Sequence, residues 1–232
     1  MKRKAIIISI AGKKLTSKEK KLIKKEKPWG VILFKRNIVS LKKTKKLIKN
    51  IRFITGDRKY PVMIDEEGGN VCRLSKFLDN RIYSQKFFGD LYSKDKKIGV
   101  SLYKNYISSI CSVFKTIGVN INTVPVLDLL KVNTHTIIGS RSYSTNKHIV
   151  KFLGKICVDS YKLNKIGSVI KHIPGHGRGL SDSHKKLPIV NTNLNVLMKN
   201  DFLCFKGVNS YFAMTAHILY KKIDSKNVST HS

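Results

Sequence analysis

The hydrophobic pattern of the chain alternates short β-branched runs with longer segments in which apolar residues recur at helical spacing. Short runs of this kind predict strands, and apolar positions three or four residues apart predict amphipathic helices. Six strands are predicted, at residues 4–10, 29–34, 61–64, 120–126, 167–173 and 211–217. Because helical segments separate most of them, we expect parallel strands joined by right-handed crossovers.

Five helices are predicted from capping residues and periodic apolar positions. Thr16 or Ser17 can cap the first helix, which has to end before Pro28. The second opens at Ser40, and the others are expected at about residues 95–117, 146–163 and 194–202. The spacing in the third predicts an inward face made of Ile98, Leu102, Tyr106, Ile110, Val113 and Ile117.

This alternation fits both a doubly wound sheet and a (β/α)₈ barrel. The positions of polar residues favour the barrel, because they follow several different strands: Asp65 and Glu66, Asp128, Lys171 and His172, and His217. A barrel sends functional residues from many strands to one face, whereas a doubly wound sheet concentrates them at a switch point. The predicted fold class is therefore α/β, a (β/α)₈ TIM-type barrel represented through about its sixth strand. We expect residues 1–232 to form a single domain.

Composition adds expectations about location. A basic start and an apolar run at residues 5–10 resemble a secretory signal, but Lys13 and Lys14 stand where a small-residue cleavage site is needed. A first strand is the preferred interpretation. The four cysteines are scattered without a C-x-x-C pair, which is typical of free thiols in a reducing compartment. Apolar runs fall well short of the roughly 20 residues that span a bilayer. We therefore expect a cytoplasmic protein without a membrane partner.

The net charge of +32 raises the possibility of a nucleic-acid partner. Only eight of the 46 basic residues are arginine, the residue that base edges and phosphates favour. The lysines are spread along nearly the whole chain, and no known nucleic-acid-binding motif accompanies them. Solvated lysine-rich helix surfaces explain the charge better, so no nucleic-acid partner is expected.

The segment at residues 171–177, Lys-His-Ile-Pro-Gly-His-Gly, is the most informative candidate for chemistry. Its histidines could bind a metal, but Pro174 and Gly175 exclude the helical spacing of zinc-protease motifs. Asp182 and His184 follow, and a carboxylate beside an imidazole suits proton transfer near neutral pH. Taken alone, this pair is more typical of a solvated turn.

A second candidate is the acidic run Asp65-Glu66-Glu67, followed by two glycines. Glycines let the backbone approach a ligand closely, and the carboxylates could bind sugar hydroxyls or a cation. An acidic turn after a strand is the equally simple alternative. Arg73 and Arg141, each considered alone, are typical surface arginines.

Six blocks of sequence together resemble the family 3 β-N-acetylhexosaminidases. They occur in the order of that family and at plausible spacing, over essentially the entire chain. The blocks are residues 30–37 (GVILFKRN), 64–73 (IDEEGGNVCR), 118–128 (GVNINTVPVLD), 138–143 (IGSRSY), 171–177 (KHIPGHG) with 182–184 (DSH), and 213–217 (AMTAH).

The resemblance implies a role for each matching residue. The residues implied in sugar binding are Asp65, Arg73, Arg141, Lys171 and His172. His184 is implied as the general acid/base on a loop, and Asp182 as the carboxylate that forms a dyad with it. The implied activity is a retaining exo-hydrolysis that releases terminal β-linked N-acetylglucosamine from muropeptide sugars during peptidoglycan recycling. No metal or organic cofactor is implied, and the full-length enzyme is expected to be a monomer.

The sequence departs from the family at one point. The family nucleophile is an aspartate in a later block, after the seventh strand, and residues 1–232 contain no such block. Asp201 precedes the sixth predicted strand, and Asp224 corresponds to the loop after it. We therefore expect residues 1–232 to represent the domain incompletely at its C-terminal side. A sugar-binding remnant without catalysis remains an alternative, and a nucleic-acid-binding protein is a less favoured one.

Overall fold

The computed structural model describes residues 3–131, 138–179 and 186–232. Its centre is a curled, parallel, six-stranded sheet, whose strands lie side by side in chain order. These strands are β1 (Lys4–Ser9), β2 (Pro28–Leu33), β3 (Val62–Ile64), β4 (Ile121–Asn122), β5 (Gly167–Ile173) and β7 (Phe212–Thr215). The short strands β6 (Ile189–Val190) and β8 (Leu219–Tyr220) form a separate parallel pair.

Six α-helices lie between the strands within these described ranges. They are α1 (Ser17–Glu26), α2 (Leu41–Thr55), α3 (Gln85–Lys94), α4 (Lys96–Ile117), α5 (Lys147–Leu163) and α6 (Leu194–Lys199). Thr16 and Glu19 form a capping box at α1, and Ser40 caps α2 as expected. Gly118 ends α4 in the left-handed conformation, with φ of 99°, which glycine adopts without a steric penalty.

The predicted alternation of strands and helices is confirmed, and each of the six predicted strands exists. The sheet is the curled half of a (β/α)₈ barrel, so the predicted fold class is confirmed as well. The helix predictions differ from the structure at two points. Helix α3 was not predicted, and Ile98 and Leu102 of α4 are 51% and 47% exposed rather than buried.

Two hydrophobic clusters lie on opposite sides of the sheet. The larger one fills the space between the sheet and the helices. The smaller one lies inside the curl, where Met63, Ile121 and Val169 are buried. Trp29 of β2 and Phe212 of β7 meet edge to face across this interior, with ring centroids 5.5 Å apart. The curl therefore brings together strands that are not neighbours in the sheet.

The outer strands of the sheet are β1 and β7. Strand β1 pairs with β2 along one side, and its residues Ile6 and Ile7 are 51% and 41% exposed. All four cysteines are buried and free of disulfides. Across the described ranges, none of the helices has the length and apolar character needed to cross a membrane.

Candidate functional site

The candidate site lies where β3, β4 and β5 end, at the C-terminal face of the sheet. Asp65 directly follows β3, Thr123 follows β4, and Lys171 belongs to β5. The Thr123 hydroxyl donates a hydrogen bond to Asp65 Oδ1. Lys171 Nζ lies 2.9 Å from Thr123 Oγ1 and 3.5 Å from Asp65 Oδ1. One polar network thus joins three neighbouring strands.

Glu67 connects this network to Arg141. Its Oε1 accepts from Lys171 Nζ at 2.6 Å and from Arg141 Nη2 at 2.9 Å, and its Oε2 accepts from Arg141 Nε at 2.8 Å. The side chains of Glu67 and Lys171 are 2% and 3% exposed. Burial acts to raise the pKa of Glu67, but the two cations outweigh it and lower that pKa to about 2.

Glu66 faces away from these cations and organises the loop that follows. Its carboxylate accepts from the backbone N–H groups of Arg73 and Leu74, at 2.6 and 2.8 Å, and from Asn80 Nδ2 at 2.7 Å. Because these donors are formally neutral, burial dominates and raises the pKa of Glu66 to about 7. The folded loop presents the Arg73 guanidinium to Asp65, with Nη2 and Oδ2 3.6 Å apart.

Gly68 is required for the sharp turn at the start of this loop. Its φ is 78°, and a Cβ at this position would lie 2.1 Å from the carbonyl oxygen of Tyr83. Only glycine combines that backbone conformation with so close a neighbour. The glycine pair noted in the sequence therefore serves the loop's own packing.

Burial acts to raise the pKa of Asp65, but Lys171, Thr123 and Arg73 together lower it. This carboxylate is consequently ionised at neutral pH. The site presents an anionic acceptor beside two cationic donors, Lys171 and Arg73, and sugar hydroxyls can both donate to the first and accept from the others.

Asp128 anchors the two histidines of the segment at residues 171–177. It is fully buried, and its Oδ2 lies 2.6 Å from His172 Nδ1 while its Oδ1 accepts from the His176 backbone N–H at 2.6 Å. Burial acts to raise the pKa of Asp128, but its interaction with His172 outweighs it and lowers that pKa. The Asp128 carboxylate accepts from His172 Nδ1 and thereby fixes the orientation of the imidazole ring.

Asp128 holds His176 through its backbone N–H and not through its ring. Its Nδ1 is buried and has no hydrogen-bond partner within the part of the chain that the structure describes. Burial lowers the pKa of this imidazole, so the ring is neutral at physiological pH. The ring centroids of the two histidines are 6.0 Å apart.

The predicted sugar-binding residues Asp65, Arg73, Arg141, Lys171 and His172 lie in these connected networks. Asp182 and His184 lie outside the described residues. His217, noted in the sequence at the end of a strand, is exposed.

Two contributors were missed by the sequence analysis, Glu67 as a partner of both cations and Thr123. Glu67 belongs to the same acidic run as Asp65, and this was the only feature of the sequence that could have indicated its role. A lone threonine after a strand gives no signal at all.

Comparison with known protein families matches residues 3–232 to the glycosyl hydrolase family 3 N-terminal domain. The chain belongs to this family. Beta-hexosaminidases from Bordetella avium and Xanthomonas campestris pv. campestris are 26% and 28% identical to it, over 95% and 94% of the chain. The chain spans 63% and 66% of the length of these two relatives.

The structures that resemble this family 3 domain include NagZ from Neisseria gonorrhoeae in complex with N-trifluoroacetyl-D-glucosamine. That structure superposes with a TM-score of 0.87 at 27% sequence identity, over 97% of this chain and 66% of the other. In barrels of this architecture, active sites lie at the C-terminal face of the strands. The network around Asp65, Lys171 and Arg141 occupies that face.

Proposed function

We propose that this site binds the terminal, non-reducing N-acetylglucosamine of a peptidoglycan fragment and serves a β-N-acetylhexosaminidase. The observation that carries the proposal is the network of Asp65, Arg73, Lys171, Arg141 and Glu67 at the C-terminal face of a family 3 domain. The similar NagZ structure, which contains a glucosamine derivative, supports the same sugar class.

The proposed reaction retains the anomeric configuration. Lys171, Arg73 and His172 donate to or accept from sugar hydroxyls, and the Asp65 carboxylate accepts from them. His184, paired with Asp182, protonates the leaving oxygen and then activates water. The nucleophilic aspartate is supplied from outside residues 1–232, and neither a metal nor an organic cofactor takes part. We also propose that residues 1–232 belong to a single domain, that the enzyme is cytoplasmic, and that its full-length form is a monomer.

The test uses a version of the protein extended through the remaining third of its relatives' length. It should hydrolyse aryl β-N-acetylglucosaminides and N-acetylglucosaminyl-anhydromuramic acid, and leave internal bonds of purified peptidoglycan intact. His184→Ala should lower turnover of the natural disaccharide by about 10²–10⁴-fold. The matched control is His148→Ala, at an exposed position of α5. Random cleavage within the polymer, or full activity of His184→Ala, would contradict the proposal.

A second candidate function is sugar binding without turnover by residues 1–232 themselves. It is favoured by one observation: Asp65, Glu66, Glu67 and Asp128 each already accept from several donors. A carboxylate held in this way is a poor nucleophile. Titration of residues 1–232 with N-acetylglucosamine, followed by NMR, should show saturable binding, and an aryl N-acetylglucosaminide should remain uncleaved. Turnover that disappears in His184→Ala would exclude this candidate.

A further inference from the structure

Glu67 lies at the centre of the site, yet its surroundings leave it no part in contacting a ligand. Its side chain is 2% exposed. Both of its oxygens are occupied, since Oε1 accepts from Lys171 and Arg141, and Oε2 accepts from Arg141. A carboxylate so enclosed acts on a ligand only through its partners.

We propose that Glu67 is a positioning residue that fixes Lys171 and Arg141 in their sugar-binding arrangement and thereby sets the affinity for N-acetylglucosamine. This inference rests on the proposed function, because it assigns Glu67 a role in that same site. The two cations come from separate parts of the chain, a strand and the turn Gly139–Arg141, and both of them form ion pairs with Glu67.

The charges explain why an anion is needed at this position. Lys171 and Arg141 approach the same oxygen atom of Glu67. Two cations brought so close in a buried environment repel one another, and the carboxylate between them offsets that repulsion. Arg141 binds both oxygens side by side, which fixes the plane of its guanidinium as well as its distance. Removal of the charge should let both cations move away from the positions that the sugar requires.

Asp65 cannot substitute for Glu67. It lies 3.5 Å from Lys171 Nζ, against 2.6 Å for Glu67, and it also pairs with Arg73. Its ionised oxygens are the ones placed to receive sugar hydroxyls. Asp65 thus contacts the sugar, whereas Glu67 holds the two cations in position.

The test is N-acetylglucosamine binding by residues 1–232, measured by NMR titration at a temperature where every variant is folded by circular dichroism. Glu67→Gln keeps the volume and removes the charge, and it should weaken binding by about 10-fold or more. Glu67→Asp keeps the charge but shortens the side chain, and its affinity for N-acetylglucosamine should lie between those of the wild type and Glu67→Gln. The matched control is Asp79→Asn, whose carboxylate pairs with Arg81 at the surface of the same loop and should bind like the wild type. An unchanged affinity in folded Glu67→Gln would overturn the inference.

A double-mutant cycle distinguishes positioning from a general structural role. In a Lys171→Met background, Glu67→Gln should cost clearly less affinity than it does alone, because one of its two partners is already gone. Equal losses in both backgrounds would show that Glu67 does not act through Lys171.

A measurement without sugar separates this inference from the proposed function. The Nε–H proton of Arg141 should exchange slowly with solvent in the wild type and quickly in Glu67→Gln. Fast exchange in the wild type would overturn the inference whatever the sugar does. Slow exchange without any N-acetylglucosamine binding would instead overturn the proposed function, and with it the effect on affinity.

Discussion

Adjacent carboxylates in the run Asp65-Glu66-Glu67 have three different sets of partners. Asp65 lies among a lysine, an arginine and a hydroxyl, Glu66 accepts from neutral N–H groups, and Glu67 accepts from two cations. The pKa values follow these partners, because burial raises the pKa of Glu66 to about 7 whereas cations lower that of Glu67 to about 2. Two glutamates at neighbouring positions therefore have pKa values that are shifted in opposite directions.

The depressed pKa of Glu67 predicts a specific dependence of stability on pH. A carboxylate with a lowered pKa stabilises the fold above its ordinary pKa of 4.5, and this contribution is lost as pH falls toward about 2. The difference in free energy of unfolding between wild type and Glu67→Gln should therefore shrink by about 2 kcal/mol between about pH 6 and about pH 3. Urea unfolding at each pH measures it. Asp159→Asn, at an exposed position of α5, serves as the surface comparison. A difference that grows on acidification would contradict the predicted sign.

The resemblance of the motif blocks to the family identified Asp65, Lys171 and His172 as site residues, and each of them also follows or ends a predicted strand. The sequence blocks did not predict which of Glu66 and Glu67 contacts the cations. This depends on the direction in which each side chain leaves the end of β3, and on Arg141, which lies 74 positions away from Glu67 in the chain. Only the packing of distant segments decides which glutamate meets the cations.

Among the elements, the pair formed by α3 and α4 shows why the spacing of apolar residues did not predict the buried face of α4. The structure places Gly99, Tyr103 and Ile107 of α4 inward, in place of the predicted Ile98 and Leu102. At Gly99, an added Cβ would lie 2.6 Å from Tyr92 Cα of α3. The glycine lets α3 pack directly on α4, which turns the contact face by one residue. Because α3 was not predicted, its contact surface could not be either.

Helix α3 also supports the turn that carries Arg141. Gly89 packs against Tyr143, and a Cβ there would lie 1.8 Å from the Tyr143 carbonyl oxygen. Alanine has the higher helix propensity, so any loss in Gly89→Ala comes from this collision. We expect the free energy of unfolding to fall by about 1–3 kcal/mol or more, and N-acetylglucosamine affinity to fall with it. Urea unfolding and NMR titration provide the two measurements.

The matched control for this prediction is Gly12→Ala. The nearest heavy atom to a Cβ at Gly12 is 4.0 Å away, so the substitution meets no obstacle. Stability of Gly89→Ala equal to that of Gly12→Ala would show that the 139–143 segment adapts freely and does not depend on α3.

At the scale of the whole molecule, the parallel sheet curls without closing among the described residues. The alternating pattern was sufficient to predict six parallel strands, because it depends on local periodicity. The polar residues at the strand ends were needed as well to favour a barrel over a doubly wound sheet. The contact between Trp29 and Phe212 was beyond prediction, since it arises from the curvature of four intervening strand pairs. Curvature is a collective property of the sheet and its helices.

The outer strand β1 predicts a tendency toward self-association. Exposed apolar residues on an outer strand invite pairing with another chain, and a lysine there opposes it. Ile6→Lys should therefore reduce concentration-dependent association of residues 1–232, measured by sedimentation velocity. Phe53→Lys makes a comparable change at a residue of α2 that is 88% exposed, and it should have a smaller effect. Equal effects of the two substitutions would attribute association to general hydrophobicity instead of the strand.

Trp29 is the only tryptophan in the sequence, and it lies at the end of the sheet opposite the candidate site, against Phe212. Indole emission shifts to shorter wavelength when water leaves its surroundings. The chain consequently carries a built-in fluorescent reporter for the inside of its curl. Any strand or partner that covers this interior changes the colour of that emission, whereas a sugar bound at the far end of the strands leaves it unaltered. Closure of the curl can thus be followed in the unlabelled protein without interference from a bound sugar.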